Sequence, residues 1–543
     1  MARVSRSEPE AAGVGPGLLD LRAWLDEVET LGELRRIEAE VDPIEEMGGL
    51  TYLVGKLEDS PALLFNRVKG AAAGTRSLFN LLGTSLPRIA LSFGLSPRLG
   101  ALELIQGVRS KIKNRIPPTV AETGSAPVNE NRCLGGEVDL GIFGPPKHWP
   151  LDGGRYIGTA DVVMTHDPDL GHINVGTYRM MVHDRNHVGL YLSPGKDARL
   201  HITRAWQRGQ EVEVAAALGV HPLWMVIGSQ TFPKNMSEYE AIGGVMGAPL
   251  EVVRGDTTSL LFPARAEIVI EGVIRPNSTR LEGPFGEFTG YYGRPEGGAP
   301  LVEVTAVHHR DRPILTNALM ADYPSCEMAL FYSITKSARI WDDLDQYGIP
   351  GIRGVWTVPA AASGFGMVVV SLEQRYAGHA AQVLALAAQA PSAAYYTKWI
   401  VAVDEDVDPS NINEVLWAMA TRCSPVDDID ILRNTWSTWL DPTKNPPDTR
   451  PWGSKALINA CKEHRHLESF SKRTTLTRET WQRIASRWAT DFGLPGAAPA
   501  LLAYESGERP VIYHEASDLA QGRGGAVQDP AIDGDDGSEA PRM

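Results

Sequence analysis

Cysteine is scarce in this chain. Four of its 543 residues are Cys133, Cys326, Cys423 and Cys461, far apart and without a C-x-x-C pair, which argues against a zinc ribbon or a disulfide scaffold. Long apolar runs are missing too. No stretch of about 18 apolar residues occurs, and the first ten residues hold no apolar signal core, so a cytoplasmic protein with reduced thiols is expected. Basic excess is absent: 67 acidic residues against 52 Lys and Arg give a net charge of -15. That balance disfavours binding to nucleic acid or to an anionic membrane, but not an anionic small substrate, since one arginine can dominate a pocket. There is no G-x-x-x-x-G-K-[ST], Rossmann fingerprint, H-E-x-x-H or G-x-S-x-G. The adjacent pair His308-His309 would point to opposite faces of a strand and makes a poor metal site.

The chain is too long for one core, and two to four domains are expected. Residues 18–40 read as a helix turning into a strand, 61–66 and 77–82 as short strands, and 84–125 as helices followed by a loop. A Pro/Gly/Ser-rich segment at 116–127 marks a boundary. Short β-like runs then dominate, at 159–164, 172–176, 189–192, 224–228, 266–274 and 301–307, with one helix near 197–209; this spacing suggests a barrel or sandwich. Beyond 330, helices near 327–347, 376–390 and 411–421 alternate with strands at 366–371 and 399–403, a βαβ-like pattern. An amphipathic helix is expected near 476–490 and a disordered Gly/Asp-rich tail from about 516. The division expected is 1–125, an N-terminal α/β region; 126–325, a β-rich domain; 326–475, a second α/β domain; 476–515, a helix and extension; and 516–543, the tail.

Four segments can carry chemistry. In Arg280-Leu-Glu282-Gly-Pro-Phe-Gly-Glu287 two carboxylates flank a glycine-proline turn directly after a strand-like run. Holding two carboxylates rigidly costs free energy, which suggests a place where protons move. Asn174-Val175-Gly176-Thr177-Tyr178-Arg179 sets an amide, a glycine and a guanidinium at a strand end, a grouping able to grip phosphate and carboxylate. Taken alone, Arg179 reads as a surface ion-pair residue. Ser193-Pro-Gly-Lys196-Asp197 opens a helix whose N-terminus and Lys196 suit a phosphate, although Asp197 also reads as a simple N-cap. Glu238 reads alone as a solvated residue in a helix's first turn; converging with an Asn and an Asp or His it would be a hard ligand for Mg²⁺ or Mn²⁺.

These segments, with Asp152-Gly-Gly-Arg-Tyr-Ile157 and the Val401-Ala-Val-Asp-Glu-Asp-Val-Asp-Pro409 run, occur in the order and spacing of the UbiD family. The chain resembles these prenylated-FMN-dependent decarboxylases over most of residues 18–490. The resemblance implies an α/β protein with a split β-barrel flavin domain at 126–325, a second α/β domain and a homodimeric or higher assembly. It implies prenylated FMN bound across Asn174–Arg179, Lys196, Asp197, Glu238 and Lys398. Asn174, Asp197 and Glu238 would ligate Mn²⁺ (or Mg²⁺), with K⁺ as a further cation. The family's third metal ligand is usually histidine; Asp197 stands at the best-matching position here, and His201 is the second candidate. Arg179 would hold the substrate carboxylate, Glu287 would donate the proton, and Glu282 would link it to Arg179.

Loss of CO₂ from an aromatic or unsaturated acid leaves a carbanion that needs an electron sink, which the family's flavin provides by bonding covalently to the substrate. Glu287 must then be protonated, and burial beside Glu282 would raise one of the pair. The implied activity is reversible, non-oxidative decarboxylation of an aromatic or heteroaromatic acid, with a flavin prenyltransferase supplying the cofactor. The walls expected for the substrate are Met180 and residues 318–328. Two other readings stand beside it: an FMN-dependent split-barrel oxidoreductase, and a non-catalytic assembly subunit.

Overall fold

The structure, a computed structural model, describes residues 20–498 apart from 194, 231, 233–235, 445–451 and 468. The tail expected from 516 lies outside the described residues, as does Asn235 beside Glu238.

The first element follows from its sequence. The Asp20 carboxylate accepts from the Ala23 amide at 2.8 Å and starts the helix Leu21–Thr30. That helix buries Leu21, Trp24, Leu25 and Val28, the stripe that a 3.6-residue period dictates. It covers a four-stranded sheet in the order Leu34–Val41, Ala62–Val68, Arg76–Phe79 and Ile314–Thr316. The last strand comes from far along the chain and pairs parallel with Arg76–Phe79, stitching this region to the next.

An antiparallel nine-stranded sheet follows, the split β-barrel. From Arg155–Gly158 it runs through Met180–Asp184, His187–Leu190, Gly297–His309, Ile268–Glu282, Val212–Leu218 and Asp161–His166 to Ile173–Gly176, and the ninth strand, Asn131–Leu134, pairs with Gly297–His309 off this path. Strand alternation separates its faces. Val163, Met180, Val188 and Leu190 fill the inside, whereas Val162 and Met164 join the larger core shared with the helices. Its spine is the long pair Ile268–Glu282 and Gly297–His309, whose register shifts after Glu271 and Ile274. At the first shift a Cβ on Gly272 would lie 2.5 Å from the Glu303 carbonyl oxygen, so only glycine fits that bulge.

The strand expected at 224–228 is instead the helix Leu223–Gly228, all six residues of which are buried. Six apolar residues in a row have no period to read, and Pro222 at the N-cap starts a helix as readily as it ends a strand.

The third layer is a mixed five-stranded sheet in the order Ile352–Thr357, Met367–Leu372, Trp399–Asp404, Trp452–Ala460 and Ile429–Trp436. Its three central strands are parallel, and the helix His379–Gln389 makes the crossover between two of them, the βαβ unit read from the alternation. The helix Ala329–Gln346 buries twelve residues between this sheet and the N-terminal helices. The helix expected near 476–490 spans only Arg478–Ala485, with none of its residues buried. Among the described residues no helix is long and apolar enough to cross a membrane.

Candidate active site

The spine pair ends by delivering Glu282, and the turn after it carries Pro284, Phe285, Gly286 and Glu287 back across Arg179. Arg179 ends the segment that follows the strand Ile173–Gly176, and its guanidinium forks between the two glutamates. Its Nε and Nη2 donate to the Glu282 oxygens at 2.7 and 3.1 Å, and its Nη1 donates to Glu287. Tyr156 Oη gives Glu282 a third hydrogen bond at 3.0 Å. The Tyr191 and Phe285 rings sandwich the cation, 4.0 and 4.7 Å from its central carbon. Arg179 is therefore a buried centrepiece rather than a surface residue.

Exposure separates the roles available to the two glutamates. The Glu282 side chain is wholly enclosed, whereas Arg179 and Glu287 keep 10% and 9% of theirs accessible. Burial alone would weaken the Arg179 cation, but Glu287 and Glu282 outweigh it and hold the guanidinium above its ordinary value. Burial pushes the Glu287 carboxyl up; Arg179 opposes this, while the charges of Glu282 and Asp152 add to it. Two carboxylates facing one cation in a dry site leave an excess negative charge, so a proton belongs on the less well-served of them. Glu282 receives three donors and Glu287 one from Arg179.

Three contributors went unassigned in the sequence. Tyr156 and Asp152 belong to a segment singled out only by its resemblance, and Asp152 accepts from the Trp149 and Gly286 amides at 3.0 Å each. Its carboxyl is pushed up to about 6, chiefly by burial. The third contributor is an aromatic cluster of Phe288, Tyr332, Phe365 and Tyr396 beside Glu287, with Phe365 stacked on Tyr332 at 4.1 Å and tilted against Phe288 at 4.7 Å. Tyr395, packed on Trp436 at 5.0 Å, lies near enough to Glu287 and Tyr191 for their charges to act on it. Of the expected walls, Met180 points into the barrel core, because alternation gives the site face to Met181, which packs with Tyr156 and Phe285. Met320 does border the site, against both Phe285 and the aromatic cluster.

The oxygen-donor residues gather at the opposite end of the Ile173–Gly176 strand. Glu238 opens the helix Glu238–Met246 but is buried, accepts weakly from the Val175 amide at 3.4 Å, and is pushed up to about 7, mainly by burial, with Asp197 adding to it. Asn174 Nδ2 donates to Tyr178 Oη at 3.4 Å, and Asp197 lines one cleft with Glu238 and His201. His201 is otherwise engaged: Nδ1 lies 3.0 Å from Thr165 Oγ1, and Nε2 3.4 Å from Asp167. Among the described residues no three His, Cys, Asp or Glu side chains form a group that could hold a metal ion. Two hard carboxylates and an amide oxygen still suit a divalent cation, which would remove the charge cost that raises Glu238. Lys196 faces Arg339, a cation from the helix Ala329–Gln346 that the sequence did not single out. Lys398 is paired with Asp441 at 2.8 Å, within a cleft of the C-terminal sheet.

Three family models match the chain, those of the N-terminal, Rift-related and C-terminal domains of 3-octaprenyl-4-hydroxybenzoate carboxy-lyase, at residues 25–106, 119–323 and 329–460. A phenolic acid decarboxylase of Sedimentibacter hydroxybenzoicus is 32% identical over 460 residues, 81% of this chain and 91% of its own. A pyrrole-2-carboxylic acid decarboxylase of Pseudomonas aeruginosa is 30% identical over 502 residues, 88% and 99% of the two chains. Among solved structures, a UbiD-class enzyme of Pelotomaculum thermopropionicum in complex with FMN superposes with a TM-score of 0.75 at 30% identity, covering 85% of this chain and 98% of its own.

Proposed function

The chain belongs to the UbiD family and is a carboxy-lyase, and we propose that its reaction is the reversible decarboxylation of an aromatic or heteroaromatic carboxylic acid with prenylated FMN. The observation that carries this reading is the Glu282–Arg179–Glu287 arrangement, in which only the cation and one carboxyl reach accessible surface. Support also comes from the phenolic and pyrrole-2-carboxylic acid decarboxylases it is similar to, and from UbiD-class structures holding FMN and prenylated FMN.

A bound prenylated flavin would contribute an electron sink for the carbon that loses CO₂. Arg179 binds and orients the substrate carboxylate, its planar fork matching that group. Glu282, saturated by Arg179 and Tyr156, fixes the guanidinium while Glu287 is free to part from it. Glu287 holds a proton at its carboxyl and delivers it to the ring carbon after CO₂ leaves. Phe288, Phe365 and Tyr332 present a flat apolar wall that suits an aromatic ring and excludes water from the Glu287 proton. Asn174, Asp197 and Glu238 would hold Mn²⁺ or Mg²⁺ against the flavin phosphate, with Lys196 and Arg339 adding positive charge. Assembly as a homo-oligomer is supported by the edge strand Ile429–Trp436, where Ile431 and Trp436 are exposed near Trp439 and Trp452.

The test is a screen of phenolic, heteroaromatic and cinnamic-type acids for CO₂ release, using protein produced with and without a flavin prenyltransferase. Prenyltransferase-dependent release that Glu287→Gln abolishes, together with exchange of product hydrogen for deuterium, is expected. Full activity in that variant sinks the assignment, and an ordinary FMN spectrum with redox turnover would favour the oxidoreductase.

A further inference from the structure

The Asp152-Gly-Gly and Gly-Pro-Phe-Gly motifs lie over 130 residues apart in the chain yet form one clamp. The Asp152 carboxylate accepts from the Trp149 amide through one oxygen and from the Gly286 amide through the other, at 3.0 Å each. Gly153 donates its amide to the Pro284 carbonyl at 2.8 Å. The two backbones touch so closely that a Cβ on Gly153 would lie 1.9 Å from the Gly283 oxygen, and one on Gly286 would lie 2.4 Å from the Trp149 ring. Trp149 is itself anchored through its indole nitrogen to the Met320 carbonyl at 3.0 Å. On the far side of the turn the Leu151 amide donates to Tyr292 Oη at 3.1 Å, and the Glu287 amide donates to the Tyr291 carbonyl at 3.0 Å.

Two N–H groups, each meeting its own oxygen of one side chain, are matched by a carboxylate, which offers two acceptors and no donor. Neutral loops solve such problems with water or with Ser, so a carboxylate buried to 4% exposure is a costly choice for mere loop closure. Among the described residues no cation forms an ion pair with it, and Arg179 acts on it only through its charge. What the location offers is proximity to the next residue along, Glu287, whose peptide follows the clamped Gly286 amide.

We propose that Asp152 is a positioning residue for the proton donor: it fixes the Phe285–Gly286 peptide, one residue ahead of Glu287, so that the Glu287 carboxyl meets Arg179, and its negative charge keeps the proton on Glu287. The assignment rests on Glu287 as the acid of the proposed reaction. Glu287 is faced by Arg179 and Glu282, by Asp152 from its own clamp, and by Tyr395 from the C-terminal region. Asp152 in turn is faced by Arg179, Tyr156, Tyr292 and Glu287. Every other charge in this set is common to wild type and an Asp152 variant.

The experiment compares wild type, Asp152→Asn, Asp152→Glu and Glu287→Gln. An infrared titration follows the protonated carboxyl band, assigned by its loss in Glu287→Gln; it needs neither substrate nor turnover. Its midpoint is expected to fall in Asp152→Asn and to return toward wild type in Asp152→Glu, which keeps the charge. An unchanged midpoint in Asp152→Asn overturns the proposal even when the enzyme proves active. In turnover, kcat of Asp152→Asn should drop on the order of 100-fold with KM held, the signature of a misplaced group rather than lost binding. Equal kcat, or a loss confined to KM, also overturns it. Should Asp152→Asn fail to fold, the Asp152→Glu pair of measurements decides: a retained midpoint with a lowered kcat supports the proposal, and wild-type kcat overturns it. A wild type inert toward every acid, with the midpoint moving as expected, would instead strike the proposed reaction and spare the clamp.

Discussion

Glu327→Gln should stabilise the protein above neutral pH and remove one component of its pH dependence. Glu327 begins the step into the helix Ala329–Gln346 and is 2% exposed. One of its oxygens accepts from the Leu82 and Gly83 amides at 2.7 and 3.3 Å, tying the C-terminal region to the N-terminal sheet, while the other oxygen has no hydrogen-bond partner. Burial pushes this carboxyl from 4.5 to about 7, against the amide donors and Arg88. A displacement of that size corresponds to about 3 kcal/mol against the ionised form. The sign follows from proton binding: the folded value is raised, so the native state binds the extra proton. Stability is therefore full below 4.5, falls as pH rises from 4.5 to about 7, and is flat beyond. Glutamine keeps the accepting oxygen and never ionises. Denaturant unfolding of both proteins at pH 4.5 and pH 8 measures the effect; wild type should lose roughly 2–3 kcal/mol more than the variant across that interval. Parallel losses would refute the reasoning, since they would mean that Glu327 titrates in the folded protein as it does in the unfolded chain.

Four other outcomes are expected. Glu287→Gln should fold like wild type and bind flavin, while decarboxylation falls by about 10²–10⁴-fold, as for loss of a general acid; turnover kinetics and flavin absorbance check both halves. In wild type the same rate should hold at low pH and fall as pH rises through the raised Glu287 value, because the protonated form is the active one. Arg179→Met removes the cation that two enclosed carboxyls share and should cost about 3–5 kcal/mol at neutral pH in denaturant unfolding. Trp24→Ala, far from the site, opens a cavity under the first helix and releases the Ser92 hydroxyl from the indole it binds at 3.0 Å; thermal or denaturant unfolding should show a loss of about 3–5 kcal/mol with kcat unchanged.

What the sequence made legible was whatever is written locally. The Glu282–Glu287 turn announces itself through its glycines and proline, and the Arg179 segment through polar groups at a strand end. The helix–strand alternation beyond 330 has periods long enough to read. What stayed hidden depends on partners distant in the chain. Tyr156 reaches Glu282 across 126 residues, Asp152 reaches Gly286 across 134, and neither contact leaves a trace near either member. Arg339 sits on a helix whose sequence explains itself fully by packing, so its approach to Lys196 is invisible without the fold. Met180 and Met181 differ by a single step of strand alternation, and naming the wrong one is the error a one-residue uncertainty in phase produces. The helix at Leu223–Gly228 was lost because complete burial erases periodicity.

For the proposed reaction, charge counting around Arg179 gives a reason for Glu287 to be protonated before substrate arrives. With Glu282, Glu287 and a substrate carboxylate all ionised, one guanidinium would face three negative charges in a nearly dry space, besides the Asp152 charge behind the turn. Of the two glutamates only Glu282 keeps a donor besides Arg179, because Tyr156 supplements it. The substrate must then take over the guanidinium position that Glu287 occupies, and a neutral Glu287 yields that position at far lower cost than an anionic one. In the proposed reaction the same proton is the one the ring carbon receives after CO₂ departs. Binding the acid and arming the donor are thus a single electrostatic condition, and the two glutamates of the 280–287 segment differ in proposed role because their donors differ, three for Glu282 and one, shared with the substrate, for Glu287.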